Sequence, residues 1–312
     1  MKVRLRTIGI LLVVAITSFM IGAGLFVYAG IYNVSALKQH TKPVYSLLEF
    51  ALGRAVEVRA DEIKVPDLND KGRIRNGAAH YQAHCLQCHG APGVAPHDLA
   101  YGMQPAPVNL VATAREWQAE EIYWVIKHGI KMSGMPAWEY RLRDEEMWDI
   151  VAFVSAMAHM SVPDYVALTK GLPVSDRRMP EPVSRGAIGA PVQGAIAVPG
   201  SMPAPTAADD PAPRPLAGNV EAGRRAMNQY LCATCHQIPG IVGASNHVGP
   251  PLNGIADRRY IGGIIANNPE NMVRWLMNPQ QFDSLSTMPD LGVTEKDARD
   301  ITAYLYTLDD VN

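Results

Sequence analysis

The stretch that decides how this chain is read is "HCLQCHG", residues 84–90, two cysteines three apart with a histidine directly after the second. Far downstream "LCATCHQ", residues 231–237, repeats the arrangement. The four cysteines Cys85, Cys88, Cys232 and Cys235 are the whole supply of the 312-residue chain. A chain that spends every cysteine on the same five-residue pattern, twice, uses them for one kind of chemistry.

Cysteines one helical turn apart, followed by histidine, suit covalent attachment of a c-type haem. The two sulfurs form thioethers with the vinyl groups, and the adjacent imidazole meets the iron. Cys85, Cys88 and His89 are thus expected to hold one haem c, and Cys232, Cys235 and His236 a second. A thioredoxin-like redox pair calls for a βαβ setting that neither motif has. A shared zinc tetrahedron would need two pairs far apart in sequence to converge. A disulfide closing so short a loop constrains little.

The sixth ligand settles what such an iron can do. "GIKMSGMPAWEY" offers Met132 and Met135, and "DSLSTMPDLGV" offers Met288. Met-Pro precedes the closing helix in both halves, which singles out Met135 and Met288, with Met132 as rival. Polar and Gly neighbours make simple core filling, the usual role of Met, a poorer explanation. Histidine on one side and thioether on the other leave no open position and raise the reduction potential, the signature of an electron carrier. The metal ligands are thus expected to be His89, Met135, His236 and Met288, with no catalytic residue.

Outward from the motifs, the chain divides into five parts. Residues 1–37 begin with Lys2, Arg4 and Arg6, then carry no charge from Thr7 to Leu37. An apolar run of about 20 residues spans a bilayer, and basic residues ahead of it stay cytoplasmic. A membrane anchor is expected, with the domains outside the bacterial cytoplasmic membrane, on the periplasmic side. The alternative is a cleaved export signal ending near Val27–Ala29. Residues 38–66 form a juxtamembrane segment in which Val44, Leu47, Leu48, Ala51 and Ala55 recur at near-helical spacing. That helix lies on the membrane or a partner subunit, or packs on the first domain as a spacer. Residues 67–165 and 219–312 read as helical domains of the same order: helix, motif, loop, helix, Met-Pro loop, closing helix. In the first, "AREWQAEEIYWVIKHG" reads as a single helix ending at Gly129. Residues 166–218 are rich in Pro, Ala and Gly and read as a flexible linker. About 45 such residues span on the order of 35–40 Å, enough for one domain to swing. The formal charge of −2 leaves no basic footprint for nucleic acid.

These residues together resemble the class I cytochromes c. Gly77, Tyr81 and Cys85 fall four apart, as in the family's first helix, where Gly allows a close crossing by the last helix, with Trp148 as aromatic partner there. Gly223, Tyr230 and Cys232 depart from that spacing by one residue, with Tyr304 and Leu305 as partners. "VGPPL" is similar to the family's Gly-Pro loop, which implies that the Pro250 carbonyl accepts from His236; Pro107 in "QPAPVNL" is a looser counterpart. The resemblance also implies propionate contacts by Arg259, Tyr260 and Trp275, in a stretch where Arg258 is a further candidate. More narrowly, the second domain resembles cytochrome domains attached to bacterial respiratory oxidases. The expected fold is all-α: one transmembrane helix, then two small haem domains. The expected function is single-electron transfer from a quinol-oxidising complex or periplasmic dehydrogenase to a terminal oxidase or soluble cytochrome. The alternatives are a dihaem peroxidase or reductase, and a fixed cytochrome subunit of an oxidase or dehydrogenase complex.

Overall fold

The computed structural model describes residues 2–172 and 218–308, so most of the expected linker lies outside the described residues. The chain opens with α1 (Lys2–Tyr28). Within it Arg4–Tyr28 is long and apolar enough to cross a membrane, and none of it is covered by the rest of the protein. Its 25 residues make ~37 Å of helix against a hydrocarbon core of about 30 Å.

The next helix, α2 (Lys42–Ala60), has Pro43 in its first turn, where a missing N–H costs nothing. Its C-terminal part is anchored through buried Val56 and Ala60. Leu47, Leu48 and Phe50 stay exposed. Of the apolar stripe read from the sequence, Leu47, Leu48 and Ala51 are exposed and Val44 and Ala55 half-buried, and the anchoring residues Val56 and Ala60 lie outside it.

The first domain contains α3 (Lys71–His84), α4 (Leu86–His89), α5 (Leu110–Glu116), α6 (Ala119–His128), α7 (Asp144–Met157) and α8 (Val162–Thr169). Asp70 caps α3 by accepting from the Arg73 N–H at 2.7 Å. The stretch expected as one helix up to Gly129 is two. Trp117 is extended, and the Gln118 N–H donates to the Glu121 carboxylate at 2.8 Å, starting α6 afresh. Asp144, Glu145 and Glu146 sit in the first turn of α7, where the helix dipole favours acids. Helices α3 and α7 cross at Gly77, and Arg73 reinforces the crossing by pairing with Asp149 at 3.0 Å. Tyr81, Met147, Ile150, Phe153 and Met157 are fully enclosed in the core beneath. Across that crossing Tyr81 meets Phe153, ring centres 5.1 Å apart. Trp148, expected as the aromatic partner there, instead stacks on Tyr123 of α6 at 4.1 Å. The cause is helical spacing: Trp148 and Phe153 are five residues apart and so face different neighbours. Helix α8 returns to the core through Tyr165, with Leu168 and Leu172 behind it.

The second domain contains α9 (Val220–Gln229), a two-residue hairpin of β1 (Tyr260–Ile261) and β2 (Ile265–Ala266), α10 (Pro269–Met277) and α11 (Glu295–Leu305). Asn268 and Thr294 cap α10 and α11 by accepting from the N–H groups of Asn271 and Asp297. Helices α9 and α11 cross at Gly223. Apart from this hairpin and isolated bridges, the described residues are helix and loop, the mostly helical fold expected.

The two domains touch. Gln280 donates to the Gly93 carbonyl at 3.1 Å. Tyr101 and Tyr230 lie 6.0 Å apart, and Val248 packs against the core of the first domain. The segment after α1 also reaches the second domain. Gln39 donates to the Asn228 side chain at 2.9 Å and to the Val242 carbonyl at 3.1 Å, and the Tyr45 ring sits against Gly243.

Candidate functional site

Both motifs form one helical turn. In the first, the His89 N–H donates to the Cys85 carbonyl at 3.0 Å; in the second, the His236 N–H donates to the Cys232 carbonyl at 3.0 Å. Each histidine is thereby set four residues beyond the first cysteine, on the same side of the turn. The four cysteines carry no disulfide. Burial pushes the thiols up, to about 12 for Cys85 and Cys232. They are therefore neutral thiols at ordinary pH. Among the described residues no cluster of three or more His, Cys, Asp or Glu gathers for a metal.

The second motif stands one residue further from its helix crossing than the first. Leu231 absorbs the extra residue by adopting a left-handed backbone, φ 58°. The crossing itself is unaffected: a β-carbon on Gly223 would lie 1.9 Å from the Asp300 carbonyl oxygen, as one on Gly77 would lie 1.8 Å from that of Asp149. Below the motifs, the Tyr81 hydroxyl donates to the Gly90 carbonyl at 2.6 Å and the Tyr304 hydroxyl to the Pro239 carbonyl at 2.7 Å. Each bond ties a core aromatic to the chain just past a motif.

Each motif histidine is held by its inner nitrogen. His236 Nδ1 lies 2.7 Å from the Pro250 carbonyl oxygen, and His89 Nδ1 lies 2.7 Å from that of Val108. A carbonyl only accepts, so each Nδ1 carries the proton and donates it, and Nε2 keeps its lone pair. Burial pushes both imidazoles below their usual range, against the pull of the carbonyl. The rings are therefore neutral, which is the form that binds a metal. In the first domain the acceptor is Val108, one residue beyond Pro107. Gly249 sits so close under His236 that a β-carbon there would lie 2.3 Å from ring atom Cε1. Two neutral thiols and an oriented imidazole with Nε2 available fit a covalently attached haem in each domain, and in the second a backbone cradle at Gly249 lies under the ring as well.

The Met-Pro loops lie against the same two cores. Met132 is 93% exposed, with φ 61°, and points away from the domain. Met135 packs against the first core and Met288 against the second. Both loops are pinned the same way: the Met135 N–H donates to the Ser133 hydroxyl at 3.1 Å and the Met288 N–H to the Ser286 hydroxyl at 3.3 Å. Sequence reasoning passed over these serines, although "SGMP" and "STMP" share the spacing. Met103 was also passed over; its sulfur lies beside Gly134.

Residues expected at the propionates are scattered. Arg259 and Tyr260 are exposed at the start of the hairpin. Trp275 is buried in the second core, 6.2 Å from Phe282. It is Arg258 that turns to the loop after Pro250, donating to the carbonyls of Pro251 at 2.5 Å and Asn253 at 3.1 Å. The remaining histidines have other neighbours: His40 bonds the Tyr32 hydroxyl, His84 lies against Trp138, and His128 against Trp124.

Residues 72–154 match the family described as cytochrome c oxidase, cbb3-type, subunit III. Residues 220–309 match the family described as cytochrome c. The chain is similar to cytochrome c oxidase subunit 2 of Alkalihalophilus pseudofirmus, 31% identical over 87 residues. That alignment covers 28% of this chain and 25% of that protein, so the chain spans about a quarter of the relative's length. No solved structure matches. Each of the two packed domains is therefore a c-type cytochrome domain, and the chain carries the pair in tandem behind one apolar helix.

Proposed function

We propose that this chain is a membrane-anchored dihaem cytochrome c that passes single electrons along a respiratory chain, with α1 in the bacterial cytoplasmic membrane and both domains on its outer side. Haem, when bound, supplies an iron that gains and loses one electron. Cys85, Cys88, Cys232 and Cys235 would hold two such groups covalently. His89 and His236 would offer Nε2, and Met135 and Met288 their sulfurs, as ligands to the metal. The observation that carries the reading is the matched pair of neutral motif histidines, each with Nδ1 on a backbone carbonyl at 2.7 Å. Such a bond fixes the tautomer and the ring plane and raises the basicity of the coordinating nitrogen.

The protein's own work is then to orient and to exclude. The crossings at Gly77 and Gly223 bring the core helices together behind each motif. The Ser-pinned loops would offer a thioether to each metal and so favour a carrier over an enzyme. The donor would be a quinol-oxidising complex or a periplasmic dehydrogenase, and the acceptor a terminal oxidase or a soluble cytochrome. A second form of the same reading, a fixed cytochrome subunit of an oxidase complex, is favoured by the oxidase-subunit match over residues 72–154.

A haem count by the pyridine haemochrome method, with a spectroscopic redox titration of the detergent-solubilised protein, tests the reading. Two haems per chain, a near-infrared sulfur-to-iron band from both and no carbon monoxide binding on reduction are expected. A high-spin centre that takes up carbon monoxide would instead support a dihaem peroxidase or reductase and overturn the carrier.

A further inference from the structure

The Asn109 side chain does two jobs at the seam between the domains. Its Oδ1 accepts from the Val111 N–H at 3.0 Å and caps α5. Its Nδ2 donates to Cys235 Sγ, across the interface, at 3.2 Å. The cap fixes which end of the amide is oxygen, so the nitrogen must face the sulfur. Asn109 also directly follows Val108, whose carbonyl holds His89. One residue pair thus touches the metal-facing histidine of the first domain and the motif sulfur of the second. A thioether sulfur accepts hydrogen bonds weakly and donates none, so this contact needs no thiol proton and is compatible with an attached haem.

We infer that Asn109 is a positioning residue that couples the two redox centres. This rests on the reading that both domains carry haem. The continuous path runs from the His89 ring through its Nδ1–H to the Val108 carbonyl, along one peptide unit to Asn109, and through its amide N–H to Cys235 Sγ. The net step is the loss of one electron by one centre and its gain by the other, with no proton moved. The amide draws electron density from the sulfur and so favours the reduced state of the second centre. The seam is held by more than this bond: Gln280 donates to the Gly93 carbonyl, and Arg115 reaches the His247 carbonyl at 3.5 Å. Val248, one residue before the Gly249 that lies under His236, packs on the first domain's core. Docking therefore presses the histidine-side loop of the second domain onto the first.

The test separates the cap from the coupling. Asn109→Ser and Asn109→Asp both keep an oxygen to cap α5, but neither offers an N–H to the sulfur. In the full detergent-solubilised chain, electron exchange between the centres is followed after rapid partial reduction, at several protein concentrations. The expected result is a concentration-independent rate that falls severalfold in both variants, with the second domain's midpoint potential moving down and the first domain's unmoved. Wild-type rates and potentials in both variants would overturn the coupling while the haem count of two stands. Fewer than two haems in the unaltered chain would overturn the underlying reading as well.

Discussion

A β-carbon on Gly77 would have to occupy space 1.8 Å from the Asp149 carbonyl oxygen, so these two residues define how closely α3 and α7 approach. Gly77→Ala must push the helices apart, an overpacking cost at or above the upper end of roughly 1–3 kcal/mol. Gly53→Ala in α2 meets nothing within 4 Å and should instead stabilise by about 0.5–1 kcal/mol. Thermal melts of the two variants check the opposite signs.

Met132 and Met135 lie three residues apart and differ in fate, one 93% exposed and one on the core. Met132→Ala should leave the optical spectrum and midpoint potential of the first domain unchanged. Met135→Ala should abolish its near-infrared sulfur band and lower its potential. The band surviving in the second variant would shift attention to Met103, beside the same loop.

Gly249→Ala would drive a methyl group into the His236 ring, which Gly249 now lets approach. The ring must tilt off the Pro250 carbonyl, weakening a bond of the kind whose loss costs 10–100-fold in metal affinity or activity in metal sites. The expected outcome is loss or spectral change of the second haem with the first intact. Separate titration of the two centres reads it directly.

Asp300 is buried on α11, and its carboxylate accepts from the Asn219 N–H at 2.7 Å and pairs with Lys296 at 2.7 Å. The Asn219 N–H first, then Lys296, hold its carboxyl below the usual range. A depressed carboxylate contributes stability that is complete above its unfolded value, near 3.9, and is lost as pH falls through the folded one. Asp300→Asn should therefore destabilise the second domain by about 1–3 kcal/mol at neutral pH. The gap should close on acidification below about 4. Denaturant titrations of wild type and variant at both pH values measure it, and a gap independent of pH would refute the assignment.

What could be read from sequence here was local, and what could not was relational. The motif turns, the close crossing at Gly77 and the caps at Asn268 and Thr294 each depend on a few neighbouring residues. The restart of the helix at Gln118 escaped because glutamine is a poor start signal, and the stabilising Glu121 carboxylate looked like ordinary helix surface. How the one-residue departure after Gly223 is absorbed could not be read, because nothing in a leucine announces the left-handed turn at Leu231. Trp148 was placed by family resemblance, but the direction a side chain takes from α7 is set by the packing of α6. The contact of Asn109 with Cys235 joins residues whose separation no periodicity reports.

The stretch between α1 and α2, through Gln39, and the first turn of α2, through Tyr45, clasp the second domain, and that bears on how a water-soluble form should be cut. Trimming the chain just after residue 37 would shed the oily helix yet keep the clasp, giving a dihaem body that tumbles as one particle. Cutting near residue 61 would forfeit Gln39, Tyr45 and the Val56 anchor together, leaving only the direct seam to hold the halves, and small-angle scattering should then report a looser particle.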